Sequence, residues 1–231
     1  MKDLRAHIAN LPESVKVRAL QECRLFEGLT STELNDLAVR AVSIRYTKGD
    51  FIFTEGDPAE FFFLAQEGLI TLHKGLASGK NVIFIIASIG DTLNAAALSM
   101  NKHFLSAQAI TDAVVLRIPR NEFWELVGRR PQIALSIIGL TATALNSEYN
   151  RIMDILGEDV ELRVVHSLFT LATKFGPNLM LKREELANYA GTTTETAIRV
   201  LSKLKKKEII SSAQRGAIFI SDLARLQNYR R

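Results

Sequence analysis

The sequence holds one cysteine in 231 residues. Cys23 therefore cannot form an internal disulfide, and a single thiolate cannot hold a four-cysteine iron–sulfur or zinc centre within one chain. A lone cysteine is read first as a small packed apolar residue. Long apolar runs are also missing. None approaches the ~20 residues of a membrane span. The opening "MKDLRAHIANLPESVKVRAL" alternates charged and apolar residues where an export signal would carry a continuous apolar core. These absences lead to the expectation of a soluble, cytoplasmic protein with no membrane partner. A Gly-rich phosphate loop, a His/Glu metal-ligand cluster and a nucleophile elbow are missing too, so no enzyme is expected. Glu184 and Glu185 are a carboxylate pair in sequence only, because consecutive helical positions diverge.

What the chain does have is apolar content and an uneven charge. At 47% hydrophobic residues it can bury the cores of two domains. From Asp159 onward there are 13 Lys and Arg against 7 Asp and Glu, and before it 16 against 18. The basic excess thus lies in the last third, where an anionic partner such as nucleic acid is expected.

The hydrophobic period changes along the chain. Residues 13–43 read as short helices, with Thr30 or Ser31 as a cap and Glu33 in the first turn. From Val42 the period becomes two. "SIRYTKGDFIFTEGD", "EFFFLAQEGLITLHKG", "NVIFIIASIGD" and "AVVLRIPR" are β-rich runs between glycines, which predicts a small antiparallel roll. "NEFWELV" returns to helix, and Pro131 opens a long helix to about Leu156. That helix has two apolar stripes. Ile133, Ile137, Leu140 and Ala144 form one. Ile138, Leu145 and Ile152 recur every seven residues and, with Ile155, form the other. One stripe suffices to pack on the roll. The second calls for a sister helix in a homodimer, or for a further partner within the chain. A hinge is expected at Gly157–Asp159, and a helix ending at Gly176 follows it.

"LKREELANYAGTTTETAIRVLSKLKKKEII" has the pattern of a helix-turn-helix. Leu186, Ala187 and Ala190 give the first helix a small apolar face, Gly191 supplies the turn, and Thr192 or Thr193 caps the second helix. There Ala197, Val200, Leu201 and Leu204 face inward. Glu195, Arg199 and either Ser202 or Lys203 face outward. Arg can donate twice to guanine and Glu can accept from cytosine N4, so the outward row suits a half-site with a G·C core. Lys203 and Lys205–Lys207 would meet phosphates. The plainer possibility is a solvated Glu195–Arg199 ion pair one turn apart. A hairpin is expected in "IISSAQRGAIFISD".

These motifs resemble the CRP/FNR superfamily of bacterial transcription regulators over almost the full length. "YTKGDFIFTEGDPAEFFFLAQEGLITLHKG" is similar to the family's β-roll signature. "GTTTETAIRVLSKL" is similar to its recognition helix, with Glu195 and Arg199 at the most characteristic base-reading positions and Thr193, Thr194, Ser202 and Lys203 around them. The resemblance implies an α+β chain: a sensor β-roll with N-terminal helices (1–130), a dimerisation helix (131–157) and a winged helix-turn-helix (158–231). It implies a homodimer on palindromic duplex DNA, with RNA polymerase as a further partner. Thr194 and Ile198 depart from the residues usual in the cyclic-AMP and FNR branches, so the operator sequence is left open.

The stretch "GDTLNAAALSMNKHFLSAQA" departs further. Cyclic-AMP-responsive members are similar to one another through Gly-Glu-Leu followed by Arg-Ser-Ala. Here the matching residues are Leu93, Asn94 and Ala95, then Leu105 and Ser106. A phosphate against Ala95 and Leu105 lacks a cation, so an effector other than cyclic AMP is expected. Haem is one option, with His73, Met100, His103 or, less favourably, Cys23 as axial ligand. Iron–sulfur sensing of the FNR type is excluded by the cysteine count. The alternative function is a cyclic-nucleotide-binding signalling module without DNA reading.

Overall fold

The computed structural model describes residues 7–212 and 217–229. The turn of the expected "IISSAQRGAIFISD" hairpin, residues 213–216, lies outside the described residues. The chain divides into two units, one of Met1–Lys74 with Phe84–Leu145, the other of Gly75–Ile83 with Asn146–Arg231.

The first unit begins with β1 (His7–Ile8), α1 (Glu13–Glu22) and α2 (Ser31–Arg40). Thr30 caps α2: its hydroxyl accepts from the Glu33 N–H, and the Glu33 carboxylate accepts from the Thr30 N–H at 2.9 Å. The strands β2 (Val42–Tyr46), β3 (Phe51–Phe53), β4 (Phe61–Glu67), β5 (Ile70–Gly75) and β6 (Asn81–Ala87) follow. Next come the single turn α3 (Ala97–Met100), β7 (Ser106–Ala109), β8 (Ala113–Pro119), α4 (Arg120–Arg129) and α5 (Pro131–Gly157); the residues of α5 from Asn146 on, and those of β5 and β6 within Gly75–Ile83, belong to the second unit.

Two four-stranded sheets result, β1-β2-β8-β4 and β3-β7-β5-β6. β1 pairs with β2, β2 and β4 with β8, and β3 and β5 with β7, all antiparallel. Alternation sorts the side chains of β4 and β8 onto two cores. Phe63, Ala65, Ala113 and Val115 face the roll interior with Ile52, Phe53, Ile70, Leu72 and Ala107. Phe62, Leu64, Leu116 and Ile118 face Leu20, Phe26, Leu37 and Phe123 on the helical side. Both faces of β4 are therefore buried, which is why it reads as an unbroken apolar run.

In the second unit Asp159 caps α6 (Val160–Phe175), its carboxylate accepting from the N–H groups of Glu161 and Leu162. The helix break thus falls at the expected Gly157–Asp159. Then come β9 (Asn178–Leu179), α7 (Arg183–Tyr189), α8 (Thr194–Lys206), β10 (Ile210–Ser212), β11 (Ile218–Ile220) and α9 (Leu223–Gln227). The sheet β10-β11-β9 is the wing. Val164, Leu168, Leu186, Ala187, Val200 and Leu204 are buried in this unit. Toward the end of α5, Arg151 donates to the Ile83 carbonyl at 2.7 Å, pairs with Glu148 and lies over the Tyr189 ring.

Candidate nucleic-acid interface

Helix α8 is placed by its cap and by its buried face. Gly191 sits at φ +64°, the left-handed region that glycine enters without a Cβ penalty, and a Cβ there would meet the Ile155 side chain at 3.7 Å. The Thr192 N–H closes the turn onto the Ala187 carbonyl at 2.9 Å. Of the two expected caps it is Thr193 that serves: its hydroxyl accepts from the Thr196 N–H at 3.2 Å. Ala197, Val200, Leu201 and Leu204 are buried, as the spacing predicts.

The opposite face carries Glu195 and Arg199, both exposed. They do not close on each other. The Glu195 carboxyl is held below its ordinary range, first by the backbone N–H at its own position in the helix start, then by the Thr193 hydroxyl. It is thus an ionised, acceptor-only group at neutral pH. Among the described residues, Arg199 forms no ion pair. An ionised acceptor and a planar donor without an ion pair, one turn apart, can between them accept from a cytosine N4 and donate twice to a guanine edge.

Two expected neighbours are placed differently. The Ser202 hydroxyl donates to the Ile198 carbonyl at 2.9 Å, inside its own helix. The Lys203 ammonium pairs with Glu161 of α6, so it does not extend the Glu195–Arg199 row. Glu161 also accepts from the Tyr229 hydroxyl at 2.6 Å. These residues, with Lys206 and Lys207, line a concavity of about 420 Å³. Thr194 is half-buried beside the cap. Ile198, absent from the expected contact set, is 47% exposed on this helix. Its signal in the sequence was an apolar residue off the buried row.

In the roll, the residues of the expected effector pocket do not share one place. Leu93 and Leu105 belong to the roll interior, whereas Ala95 packs on the helical-side core. Asn94 takes φ +58°, and its side-chain NH₂ is buried without a hydrogen-bond partner. The Ser106 hydroxyl accepts from the Glu55 N–H at 2.9 Å. Leu105 and Ala95 therefore present neither a cation nor an acceptor.

The haem candidates are corrected by their surroundings. Met100 is 61% exposed and forms no apolar axial position. His103 is buried, with its ring stacked on Phe53 at 3.6 Å between centroids and tilted against Phe63. Burial pushes its pKa down, and its Nδ1 has no hydrogen-bond partner. His73 is also buried, with Nδ1 3.5 Å from the Thr71 hydroxyl. Cys23 is packed in the helical-side core, where burial raises its thiol to about 11. Haem does not fit these residues: Phe53 and Phe63 occupy the space against the His103 ring. Among the described residues there is no cluster of three or more His, Cys, Asp or Glu, and no helix long and apolar enough to cross a membrane.

Comparison with known proteins agrees with this architecture. Residues 43–130 match the cyclic nucleotide-binding domain, and residues 162–229 match the Crp-like helix-turn-helix domain. The chain is 28% identical over 186 residues to Electron transport regulator A of Shewanella oneidensis, spanning 77% of this chain and 74% of that one. It is 28% identical over 207 residues to the Cyclic AMP receptor protein of Thermus thermophilus, spanning 88% and 94%. The solved structure of FixK2 from Bradyrhizobium japonicum shares 26% identity and superposes with a TM-score of 0.74 over 81% of this chain and 96% of its own. With its roll, long helix and helix-turn-helix in that order, the chain belongs to the CRP/FNR superfamily of DNA-binding transcription regulators.

Proposed function

We propose that this regulator acts as a homodimer on palindromic duplex DNA, with Glu195 and Arg199 of each copy reading a G·C-containing half-site. The observation that carries the proposal is the outward pair itself, an ionised acceptor and an Arg with no ion pair among the described residues, on a helix whose other face is buried. Thr193 and Thr194, the polar residues at the helix start, are the proposed flanking phosphate or base contacts. In the resulting dimer the two α8 helices enter successive major grooves about 34 Å apart.

The dimer is supported by α5. The stripe of Ile133 and Ile137 is committed to the helical-side core. The other face carries Leu135, Ile138, Ala142, Leu145, Tyr149, Ile152 and Leu156, alternating three and four residues apart, and all are exposed. That is the seam of a two-stranded coiled coil, and a second copy covers it isologously. The three-part division into roll, seam helix and winged helix-turn-helix follows from the same reading.

The effector acting through the roll is other than cyclic AMP, although one relative is named for that nucleotide. Leu105 and Ala95 supply no partner for a cyclic phosphate or a ribose hydroxyl. The effector shifts the population between two placements of the DNA-binding part, and RNA polymerase is the partner through which occupancy becomes transcription. A binding-site selection from a random duplex pool tests the core of the proposal. Enrichment of a palindrome with G·C pairs in each half supports it, and a pool that stays random at physiological salt refutes it.

A further inference from the structure

Ile198 is the one large apolar side chain of α8 that is exposed among the described residues; Val200, Leu201 and Leu204 are all buried. An exposed isoleucine on an otherwise polar surface needs no explanation by itself. Its position does. It lies one turn after Thr194, on the row flanking Glu195 and Arg199, at the helix surface turned away from the core. The Ser202 hydroxyl one turn further on is back-bonded to the Ile198 carbonyl at 2.9 Å, which draws the competing polar group on that side into the helix. The β-branched side chain is stiff in a helix, with one strongly preferred rotamer, so its methyl groups are held in place before any partner arrives. Thr194, also β-branched, sits behind it on the same row.

We infer that Ile198 is a specificity-determining residue that reads a thymine C5-methyl next to the G·C pair addressed by Glu195 and Arg199. The inference rests on the DNA-reading role proposed above. Among the four bases only thymine presents a C5-methyl group in the major groove, and an apolar side chain is what recognises it. Cytosine offers hydrogen at that carbon, and the Ile198 methyls then stay against water or an N4 donor. The half-site therefore pairs a G·C step with an adjacent thymine, fixed in register by the spacing of Arg199 and Ile198 along one helix.

The test replaces each thymine of the selected half-site by deoxyuridine, one position at a time, and measures the affinity of the full-length protein and of Ile198→Ala. Deoxyuridine keeps every hydrogen bond and removes only the methyl. The expected result is one thymine next to the G·C pair whose loss of the methyl weakens wild-type binding about fourfold, the value of one buried methyl group. The same replacement leaves Ile198→Ala unchanged. Ile198→Ser, which keeps the helix but offers a hydroxyl, shows the same insensitivity. If no thymine is methyl-sensitive, or if the variants lose as much as wild type, the inference is wrong while the G·C reading stands. If selection enriches no site at all, both fall. Circular dichroism melting of the variants separates a reading defect from a folding defect, because an exposed position leaves the melting temperature in place.

Discussion

Lys203 of the recognition helix is ion-paired with Glu161 at the start of α6, and the same carboxylate accepts from the Tyr229 hydroxyl at 2.6 Å. The contact ties α8 to the helix that follows the Gly157–Asp159 break, which favours a role for Lys203 in placing the helix over the expected phosphate contact. Lys203→Ala is expected to leave the salt dependence of DNA binding and the base preference unchanged. Its stability cost stays within about 1 kcal/mol, since the ammonium is half exposed and screened. Tyr229→Phe removes a bond to a charged acceptor and costs about 1.5–3 kcal/mol in urea titrations. A log-log salt slope that drops by about 0.9 per half-site in Lys203→Ala would instead place this lysine on a phosphate.

The α5 seam predicts the assembly state. Ile138→Asp and Leu145→Asp put charges on its exposed apolar face without touching the Ile133 core. Sedimentation should show monomers for the double variant and dimers for wild type. Affinity for a palindrome should fall by at least about a hundredfold, because two half-sites are no longer engaged together. Unchanged dimers in the double variant would mean that α5 is covered by something else.

Glu33 and Arg130 form a two-point pair, with nitrogen–oxygen distances of 2.5 and 2.9 Å. The guanidinium, then the Thr30 N–H and hydroxyl, lower the Glu33 carboxyl from 4.5 to about 2. A depressed folded-state value means stability that is present above about 4.5 and lost as pH falls toward 2. Glu33→Gln should therefore be less stable than wild type at neutral pH, with the gap between the two closing below pH 4.5. Denaturant midpoints across that range check the sign.

His103 acts in the same direction on the pH axis, in a window at higher pH. Burial lowers the pKa of this imidazole from 6.5, so the unfolded chain binds the proton more readily and stability falls as pH drops below that value. His103→Phe keeps an aromatic ring against Phe53 and removes the proton. Its stability should vary less with pH than that of wild type through the window below 6.5, with a remainder from His73, which burial shifts in the same direction. A pH profile identical to wild type would show that the stacked ring does not titrate with unfolding.

The residues that were legible in sequence are those whose partners are local. The α8 cap, its buried row, the Gly191 turn and the continuous β4 run all follow from spacing. β7 was not legible: "SAQA" holds no β-branched or aromatic residue and becomes a strand only by pairing with β3 and β5. Nor was the burial of His103, which depends on stacking with Phe53 fifty positions earlier in the chain. Lys203 was partly legible. Each four-residue step drifts about 40° around a helix, so two steps from Glu195 reach the flank that meets α6. The break-up of the expected effector pocket comes from β-alternation and the α3 turn, which send Leu105 to one core and Ala95 to the other.

The central claim is that Glu195 and Arg199 read base identity, and one measurement bears on it most directly. The affinities of wild type and Arg199→Ala are compared on the selected palindrome and on a scrambled duplex of the same length, at physiological salt. The account predicts that Arg199→Ala loses about 1–3 kcal/mol on the palindrome per half-site and little on the scrambled duplex, so that discrimination collapses. An equal loss on both duplexes would make Arg199 a phosphate contact and contradict the account.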